Sequence, residues 1–261
     1  MGADSGKIPV TDPAPTWVTR QDRLNTWLVE DLLGGPRPWK FAWVINFQKA
    51  GTFLFLGALM AWYGNGSAAA WVYLALHGGY GLVWLLKALA FPDPAWERRI
   101  TIAGGSMAFL GVLGWYWVFG WLLISGRGGP PYPLPEPAWF ALCITLCLLG
   151  CAVMIAADAQ KYFTLRERPG LITDGMFALV RHPNYLGEMM IYGSLALMVW
   201  HWLPFLVLAW VWLGVFLVNM AMKEARMSRH AEWAAYRART GWLLPPPLAL
   251  FEVLRGRERR P

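Results

Sequence analysis

The stretch RHPNYLGE at residues 181–188 combines groups that can bind an anion. Arg181 and His182 precede Pro183, which suits the first turn of a helix because the N–H that proline lacks has no partner there. The free amides of a helix N-terminus, placed beside basic side chains, bind anions and above all phosphates. The motif therefore predicts a helix that begins at an anion site.

Three further polar residues in and before this motif are not required by membrane topology. Asn184 and Glu188 are four residues apart and so share a helix face, with Tyr185 beside them. Asp158 closes the preceding apolar run. A carboxylate within one turn of an apolar segment needs a partner or a ligand. We expect these residues to line a polar ligand site.

Charged and aromatic residues flank the motif on both sides in the sequence. Those before it leave the preceding apolar run, and those after it form a polar cap that we expect to act as a lid. The additional candidates for the ligand site are Lys161, Arg166, Arg168, Glu224, Arg229, Tyr236 and Arg239.

Polar residues also interrupt the first two apolar runs. Gln48 and Lys49 lie in the first run, and Lys49 is about 12 Å from its start at a rise of about 1.5 Å per residue. His77 and Tyr80 share a face of the second run. We expect Gln48, Lys49 and Tyr80 to meet at a similar depth. Snorkelling of Lys49 and ordinary bonding between helices are the alternatives.

The elements that must position these residues are membrane helices. The chain has 261 residues, of which 57% are hydrophobic and only 15% charged, so an all-α polytopic membrane bundle is expected. Six apolar runs are long enough to cross a bilayer: 41–62, 69–91, 101–125, 138–158, 184–203 and 204–222. The amphipathic segment 17–33 is expected to be an interfacial helix, with a seventh span as the alternative.

The distribution of basic residues predicts the orientation. Lys and Arg are frequent before the first run and after the second, fourth and sixth, and sparse in the other connections. Six spans with both termini in the cytoplasm account for this alternation. The net charge of +7 therefore reflects topology, and no nucleic acid is expected as a partner.

The three cysteines do not predict a metal site. Cys143, Cys147 and Cys151 fall on one face of a helix within an apolar run, without the His or additional thiolates that a metal needs. We expect them to pack, and we expect no cleaved signal because the first 40 residues lack a secretory apolar core.

Four motifs together resemble the C-terminal domain of the steroid 5-alpha-reductase family, and its bacterial membrane members in particular. They are DAQKYF, LITDGMF, RHPNYLGE and KEARMSRHAEWAAYRARTGWLLP. The resemblance covers residues 151–261. RHP alone also occurs in isoprenylcysteine carboxyl methyltransferases and phospholipid methyltransferases, whereas PNYLGE is more similar to the reductases.

The resemblance implies an enzyme that binds NADPH in a cavity open to the cytoplasm and reduces the C4–C5 double bond of a lipophilic 3-oxo-4-ene steroid. It implies that Asp158, Asn184, Tyr185 and Glu188 line the cofactor site, with basic residues on the phosphates. The family's steroid-ketone residues are a Gln-Glu pair and a Tyr, which correspond here to Gln48, Lys49 and Tyr80. Lys49 stands where the family has Glu.

Two alternatives to the reductase remain open at this stage. One is a membrane methyltransferase that uses S-adenosylmethionine, and the other is a lipid-binding or assembly protein without enzymatic activity. The expected organisation is a cytoplasmic segment at 1–40, spans that line a substrate cavity at 41–150, and a cofactor-binding region at 151–261. The expected location is the bacterial inner membrane, with lipid and a steroid-like substrate as partners. The sequence leaves the oligomeric state open.

Overall fold

Helices dominate the computed structural model, which describes residues 12–247. Its helices are α1 (Thr16–Glu30), α2 (Phe41–Tyr63), α3 (Ala68–Ala90), α4 (Ile102–Leu113), α5 (Trp115–Ile124), α6 (Glu136–Glu167), α7 (Pro183–Val199), α8 (Trp202–Met227) and α9 (Trp233–Arg239). Single 3₁₀ turns lie at Pro94–Trp96 and Gly175–Phe177. Strands β1 (Trp39–Lys40) and β2 (Arg99–Ile100) form one antiparallel pair.

Four helices, α2, α3, α6 and α8, are long and apolar enough to cross a membrane. Helices α4 and α5, which are bent by 41°, make a fifth crossing if they count as one. Helix α7 has 17 residues and rises about 26 Å, slightly less than the roughly 30 Å of a hydrocarbon core.

These lengths support a membrane protein with four or five crossing helices, so the predicted six to seven spans are not confirmed. Helix α1 is present, as predicted, but its 15 residues are too few for a crossing. The predicted segments 1–40 and 151–261 both extend outside the described residues, and the side of the membrane on which the termini lie stays a prediction.

Local sequence signals set several helix boundaries. The Ser67 hydroxyl accepts the Ala70 N–H at the start of α3, and the Thr101 hydroxyl accepts the Gly104 N–H at the start of α4. The bend between α4 and α5 is at Gly114, whose N–H bonds the Phe109 carbonyl five residues back. Helices α7 and α8 are joined by a short connection at HWLP, because α7 ends at Val199 and α8 begins at Trp202.

Helices α6 and α7 form the tightest helix pair around the candidate site. A Cβ added to Gly187 would lie 2.6 Å from the Gly150 carbonyl oxygen, and one added to Gly150 would lie 2.7 Å from the Gly187 oxygen. Two glycines therefore let the backbones touch, as is common where membrane helices pack. This contact fixes α7, and with it the neighbouring Glu188, against α6.

Helix α3 contains a single π turn at Leu74–Gly78, immediately before Tyr80. The wider turn adds a residue to the helix without ending it and changes the direction in which the following side chains point. Tyr73, His77 and Tyr80 all end up buried in the interior of the bundle. The helix thus presents three polar aromatic groups to the core.

Candidate functional site

The centre of the candidate site is a lysine surrounded by aromatic rings. Lys49 of α2 is only 4% exposed, and its ammonium donates a hydrogen bond to the Tyr192 hydroxyl of α7. The same nitrogen lies 4.2 Å from the centroid of the Tyr80 ring and 4.9 Å from that of Trp84, both on α3. Such contacts stabilise a buried cation. The structure therefore brings Lys49 and Tyr80 together, as predicted, and adds Tyr192.

A glycine allows α2 and α3 to approach closely at this point. A Cβ added to Gly81 would lie 2.3 Å from the Lys49 carbonyl oxygen, so no larger residue fits without moving a helix. The backbone of α3 therefore rests directly against the Lys49 residue. This close approach explains why Tyr80, the neighbour of Gly81, reaches the ammonium.

More aromatic residues enclose the Tyr192 ring. Tyr116 of α5 stacks on it with centroids 3.9 Å apart, and Tyr80 and His77 meet it edge-on at 5.7 Å and 6.4 Å. The His77 Nδ1 is bonded to the Tyr73 hydroxyl at 3.1 Å. The prediction that His77 and Tyr80 share one face is confirmed. The enclosure is apolar apart from the hydroxyls and ring nitrogens that point inward.

Two of these polar atoms are buried without a hydrogen-bond partner among the described residues: the Tyr80 hydroxyl and the His77 Nε2. The Tyr80 hydroxyl interacts electrostatically with Tyr192 but lacks the geometry of a hydrogen bond. Buried polar atoms without hydrogen-bond partners are rare and costly. Their presence here indicates a place for a polar group of a ligand.

Gln48 faces a different part of the bundle from Lys49. Its Nε2 donates to the Thr52 hydroxyl at 3.2 Å, and that hydroxyl also accepts from the Trp117 indole at 2.8 Å. The Gln48 Oε1 is buried without a partner in residues 12–247. Adjacent helix positions differ by about 100°, which separates the two side chains. The meeting of Gln48 with Tyr80 that the sequence suggested is thus not seen in the described contacts.

Glu188 of α7 is the carboxylate that the sequence predicts to bind the cofactor. It is half-buried and interacts electrostatically with Lys49, Lys87 and Asp158. Neither Glu188 nor Asn184, one turn before it, forms a hydrogen bond or ion pair with another residue of the described chain. A regular helix from Pro183 confirms the predicted start and the shared face. Two polar side chains are therefore available to a ligand.

A buried ion pair lies next to Glu188. The Lys87 ammonium pairs with the Asp158 carboxylate, and their side chains are 7% and 14% exposed. The Lys87 nitrogen also lies 4.3 Å from the Trp84 ring centroid. Asp158, which was expected to line the ligand site, is therefore paired with a lysine of α3.

A second pair of charges continues this network outside the spans. Lys161 donates to Asp93 at 2.9 Å. Burial alone would raise the pKa of Asp93, but the charges of Lys161 and Lys223 and the hydrogen bonds from Lys161 and the Ala95 N–H together outweigh burial and lower that pKa. Lys223 lies 4.5 Å from the Tyr185 ring centroid and forms no ion pair in the described part of the chain. Its ammonium is an uncommitted cation close to the predicted cofactor residues.

A cleft opens beside this network between α2, α3 and the loop that follows α3. Phe91, Trp84 and Trp96 supply its aromatic wall, and Lys87 and Asp93 its polar edge. Trp84 contributes to both the cleft and the enclosure around Lys49. The Trp84 side chain therefore lies between the cleft and the central lysine.

The basic pair that precedes α7 is used inside the protein. The Arg181 Nε lies 2.5 Å from the Glu224 carboxylate, and its Nη1 donates to the Thr240 carbonyl beyond α9. The His182 Nε2 lies 3.3 Å from the same Glu224 oxygen. Burial lowers the pKa of His182, although Glu224 acts in the opposite direction. These donors tie the end of α8 and the residue after α9 to the start of α7, so they are not free for a phosphate.

The other predicted cofactor residues are exposed or have partners within the protein. Arg166 contacts Tyr162, Arg168 pairs with Asp174, and Arg229 and Arg239 are exposed. The Tyr236 hydroxyl donates to the Phe177 carbonyl at 2.9 Å and is buried, and burial raises its pKa to about 12. The structure thus gives Tyr236 a packing role and leaves these arginines at the surface.

Sequence reasoning missed five residues of this site: Tyr116, Tyr192, Lys87, Asp93 and Lys223. A signal existed for Tyr192, which follows Glu188 by four residues and therefore shares its face. The others reach the site from separate helices or a loop, and no local spacing connects them to the motif.

Comparison with known proteins finds a family model that matches part of the chain. Residues 115–240, just under half of the chain, match the model of a family described as a protein of unknown function (DUF1295). No curated protein and no solved structure matches the chain. The matched region runs from the first residue of α5 to the end of α9 and contains Asp158, Glu188 and Tyr192, whereas Lys49 and Tyr80 precede it. This family is associated with steroid 5-alpha-reductase-like proteins.

Proposed function

We propose that this protein uses NADPH to reduce the C4–C5 double bond of a 3-oxo-4-ene steroid, or of a similar lipophilic enone, within the membrane. The observation that carries the proposal is the Lys49 ammonium bonded to the Tyr192 hydroxyl beside the unpartnered Tyr80 hydroxyl. The association of the matched family with steroid 5-alpha-reductase-like proteins agrees with it.

The chemistry of an enone explains why such donors are needed. Hydride addition to the β-carbon of the enone places negative charge on the ketone oxygen, and a proton from water then adds to the α-carbon and completes the reduction. Donors that already point at the ketone oxygen stabilise the charge, and they do so most strongly where water is excluded. The Tyr80 hydroxyl is such a donor, and Lys49 places a positive charge behind it. The rings of Tyr116 and Trp84 help to keep water away.

The residues around Glu188 fit a dinucleotide, which supplies a hydride when bound. A nicotinamide carboxamide needs both an acceptor and a donor, and the free Asn184 amide offers both while Glu188 offers a second acceptor. Lys223 is an uncommitted cation for the phosphates, with Lys161 and Tyr185 beside it. These residues replace most of the arginines that the sequence suggested for this role.

We place the opening of this site on the cell interior, because NADPH is a water-soluble cofactor of the cytoplasm. We place the substrate in the lipid phase, because it is lipophilic. The bacterial inner membrane remains the proposed location.

The test is an assay of the full-length protein purified in detergent. With NADPH and a 3-oxo-4-ene steroid, we expect the absorbance of the reduced nicotinamide to fall. Tyr80→Phe is expected to lower kcat by about 10²-fold, as for the loss of one oxyanion donor, with a smaller change in NADPH affinity. If no enone causes NADPH oxidation, and a labelled methyl group is transferred from S-adenosylmethionine, the protein is a methyltransferase instead.

A further inference from the structure

We propose that Tyr192 is a second catalytic residue of this site, which donates a hydrogen bond to the ketone oxygen together with Tyr80, and that Lys49 positions and polarises it. This inference rests on the proposed function. It adds Tyr192 as a second hydrogen-bond donor, and it adds the requirement that the substrate carry a ketone. The sequence comparison with the reductase family assigns no role to Tyr192.

The direction of the bond between Lys49 and Tyr192 carries the first step. With Lys49 protonated, its amine has three donors and no lone pair, so the Tyr192 oxygen is the acceptor of this bond. The hydrogen of Tyr192 then points away from the Lys49 nitrogen. The Tyr80 hydroxyl is close enough to interact with it, but no hydrogen bond of good geometry joins the two hydroxyls in the described residues. Tyr192 is therefore a buried hydroxyl with its proton still to be used.

The second step is the position of Tyr80. Its hydroxyl is also buried without a partner in the described chain, and its ring meets Tyr192 edge-on at 5.7 Å. Two neighbouring hydroxyls can form only one hydrogen bond with each other, so at least one of their two hydrogens has no acceptor. An oxygen atom with two lone pairs between them would accept from both. A carbonyl oxygen that becomes an enolate is such an atom.

The third step is the charge behind the pair. Charge-assisted hydrogen bonds are roughly twice as strong as neutral ones, and an ammonium on the Tyr192 oxygen makes its hydrogen a better donor. Three rings at 4.2 to 4.9 Å hold the Lys49 nitrogen in place. Neither Tyr192 nor Lys49 gives up a proton in this role, since each only stabilises charge on the substrate.

The arrangement also determines which substrates are accepted. A site with two donors favours a ligand with an acceptor oxygen. A ligand without that oxygen leaves both hydroxyls without a partner, and sites of this kind reject such analogues strongly. The substrate must therefore carry a ketone conjugated to the double bond. A steroid with the same double bond but no ketone is expected to bind poorly and to remain unreduced.

The experiment uses a probe that does not depend on reduction. A steroid with a naphthol ring resembles the enolate, and its absorbance shows how far the bound naphthol is ionised. The full-length protein is expected to increase the ionised fraction of the bound probe at fixed pH. Tyr192→Phe and Lys49→Met should each lower the ionisation constant of the bound probe by about tenfold.

Tyr132→Phe is the matched control, because it removes a hydroxyl that bonds the Met198 carbonyl outside the site. It should ionise the probe as the unmodified protein does. Each variant is first compared with the unmodified protein by elution in detergent and thermal unfolding. Reduction of the enone by Tyr192→Phe is expected to show kcat lowered by about 10²-fold and little change in KM for NADPH.

The outcomes separate this inference from the proposed function. Probe ionisation that depends on Tyr192 and Lys49, without enone reduction, supports the donor pair and overturns the reductase. If Tyr192→Phe reduces the enone as fast as the control Tyr132→Phe does, the donor pair is overturned and the proposed reductase activity stands. A failure of the unmodified protein both to ionise the probe and to reduce any enone overturns both.

Discussion

The Lys87 ammonium and the Asp158 carboxylate form an ion pair that joins α3 to α6 inside the helix bundle. Both side chains are largely buried, so loss of one partner leaves an uncompensated charge. We expect Asp158→Asn to lower the free energy of unfolding by about 3 kcal/mol. Thermal unfolding in detergent measures the change.

The control for this ion pair removes both charges at once. The double variant Lys87→Met, Asp158→Leu leaves no charge unpaired, and we expect it to recover most of the stability lost in Asp158→Asn. Equal midpoints for Asp158→Asn and the unmodified protein would contradict a buried pair.

Glu188 gives a prediction about cofactor affinity rather than stability. Because its carboxylate forms no hydrogen bond or ion pair in the described chain, Glu188→Gln should leave the unfolding midpoint nearly unchanged. We expect NADPH binding, followed by fluorescence of the nicotinamide, to weaken by about tenfold, the typical effect of losing a hydrogen bond to a charged group. Glu167→Gln, at the exposed end of α6, is the control and should bind as before. Unchanged affinity in Glu188→Gln would place the cofactor elsewhere.

The contact between Gly150 and Gly187 predicts the effect of one added methyl group. Gly187→Ala places a Cβ 2.6 Å from the Gly150 oxygen, so α6 and α7 must separate at a cost of about 1–3 kcal/mol. The displacement of the adjacent Glu188 should also weaken NADPH binding. Gly57→Ala in α2 is the matched control, because its Cβ meets no atom within 4 Å. Equal stability of the two variants would mean that the helices are not in backbone contact.

His182 predicts a pH dependence of stability. Its pKa in the folded protein lies below the ordinary value of 6.5, because the ring is buried and faces Lys223 and Arg181 as well as Glu224. Above pH 6.5 the ring is neutral in both states and its contribution is constant. Below that value the unfolded chain takes up a proton before the folded one does, so stability falls as the pH drops towards the folded pKa.

The measurement compares unfolding midpoints near pH 7.5 and 5.5 for the unmodified protein and for His182→Gln. The slope from this one group is at most about 1.4 kcal/mol per pH unit. His182→Gln is expected to lose less stability than the unmodified protein over this interval. An identical loss in both proteins would exclude His182 as the cause.

The sequence was sufficient to predict those features of the candidate site that depend on the spacing of residues along one helix. Pro183 marked the start of α7, and the distance from Asn184 to Glu188 identified a shared helix face. The depth of Lys49 and Tyr80 along their helices correctly placed them together.

Contacts that depend on the rotation of one helix against another could not be read in the same way. The pairing of Lys87 with Asp158 requires the orientation of α3 relative to α6, which is set by packing and not by either segment alone. Arg181 looked like a phosphate ligand because nothing near it in sequence showed that Glu224 and the Thr240 carbonyl would occupy its donors. The predicted six to seven crossing helices are not confirmed for a similar reason, since α7 is apolar but only 17 residues long.

The touching backbones of α6 and α7 have a consequence for motion in the bundle. Helices that meet through two glycines have no side-chain layer at that point over which they can slide. Helices α6 and α7 are expected to move as one rigid body. A substrate of the size of a steroid therefore has to enter by displacement of the other helices, beside the aromatic cleft that shares Trp84 with the Lys49 enclosure.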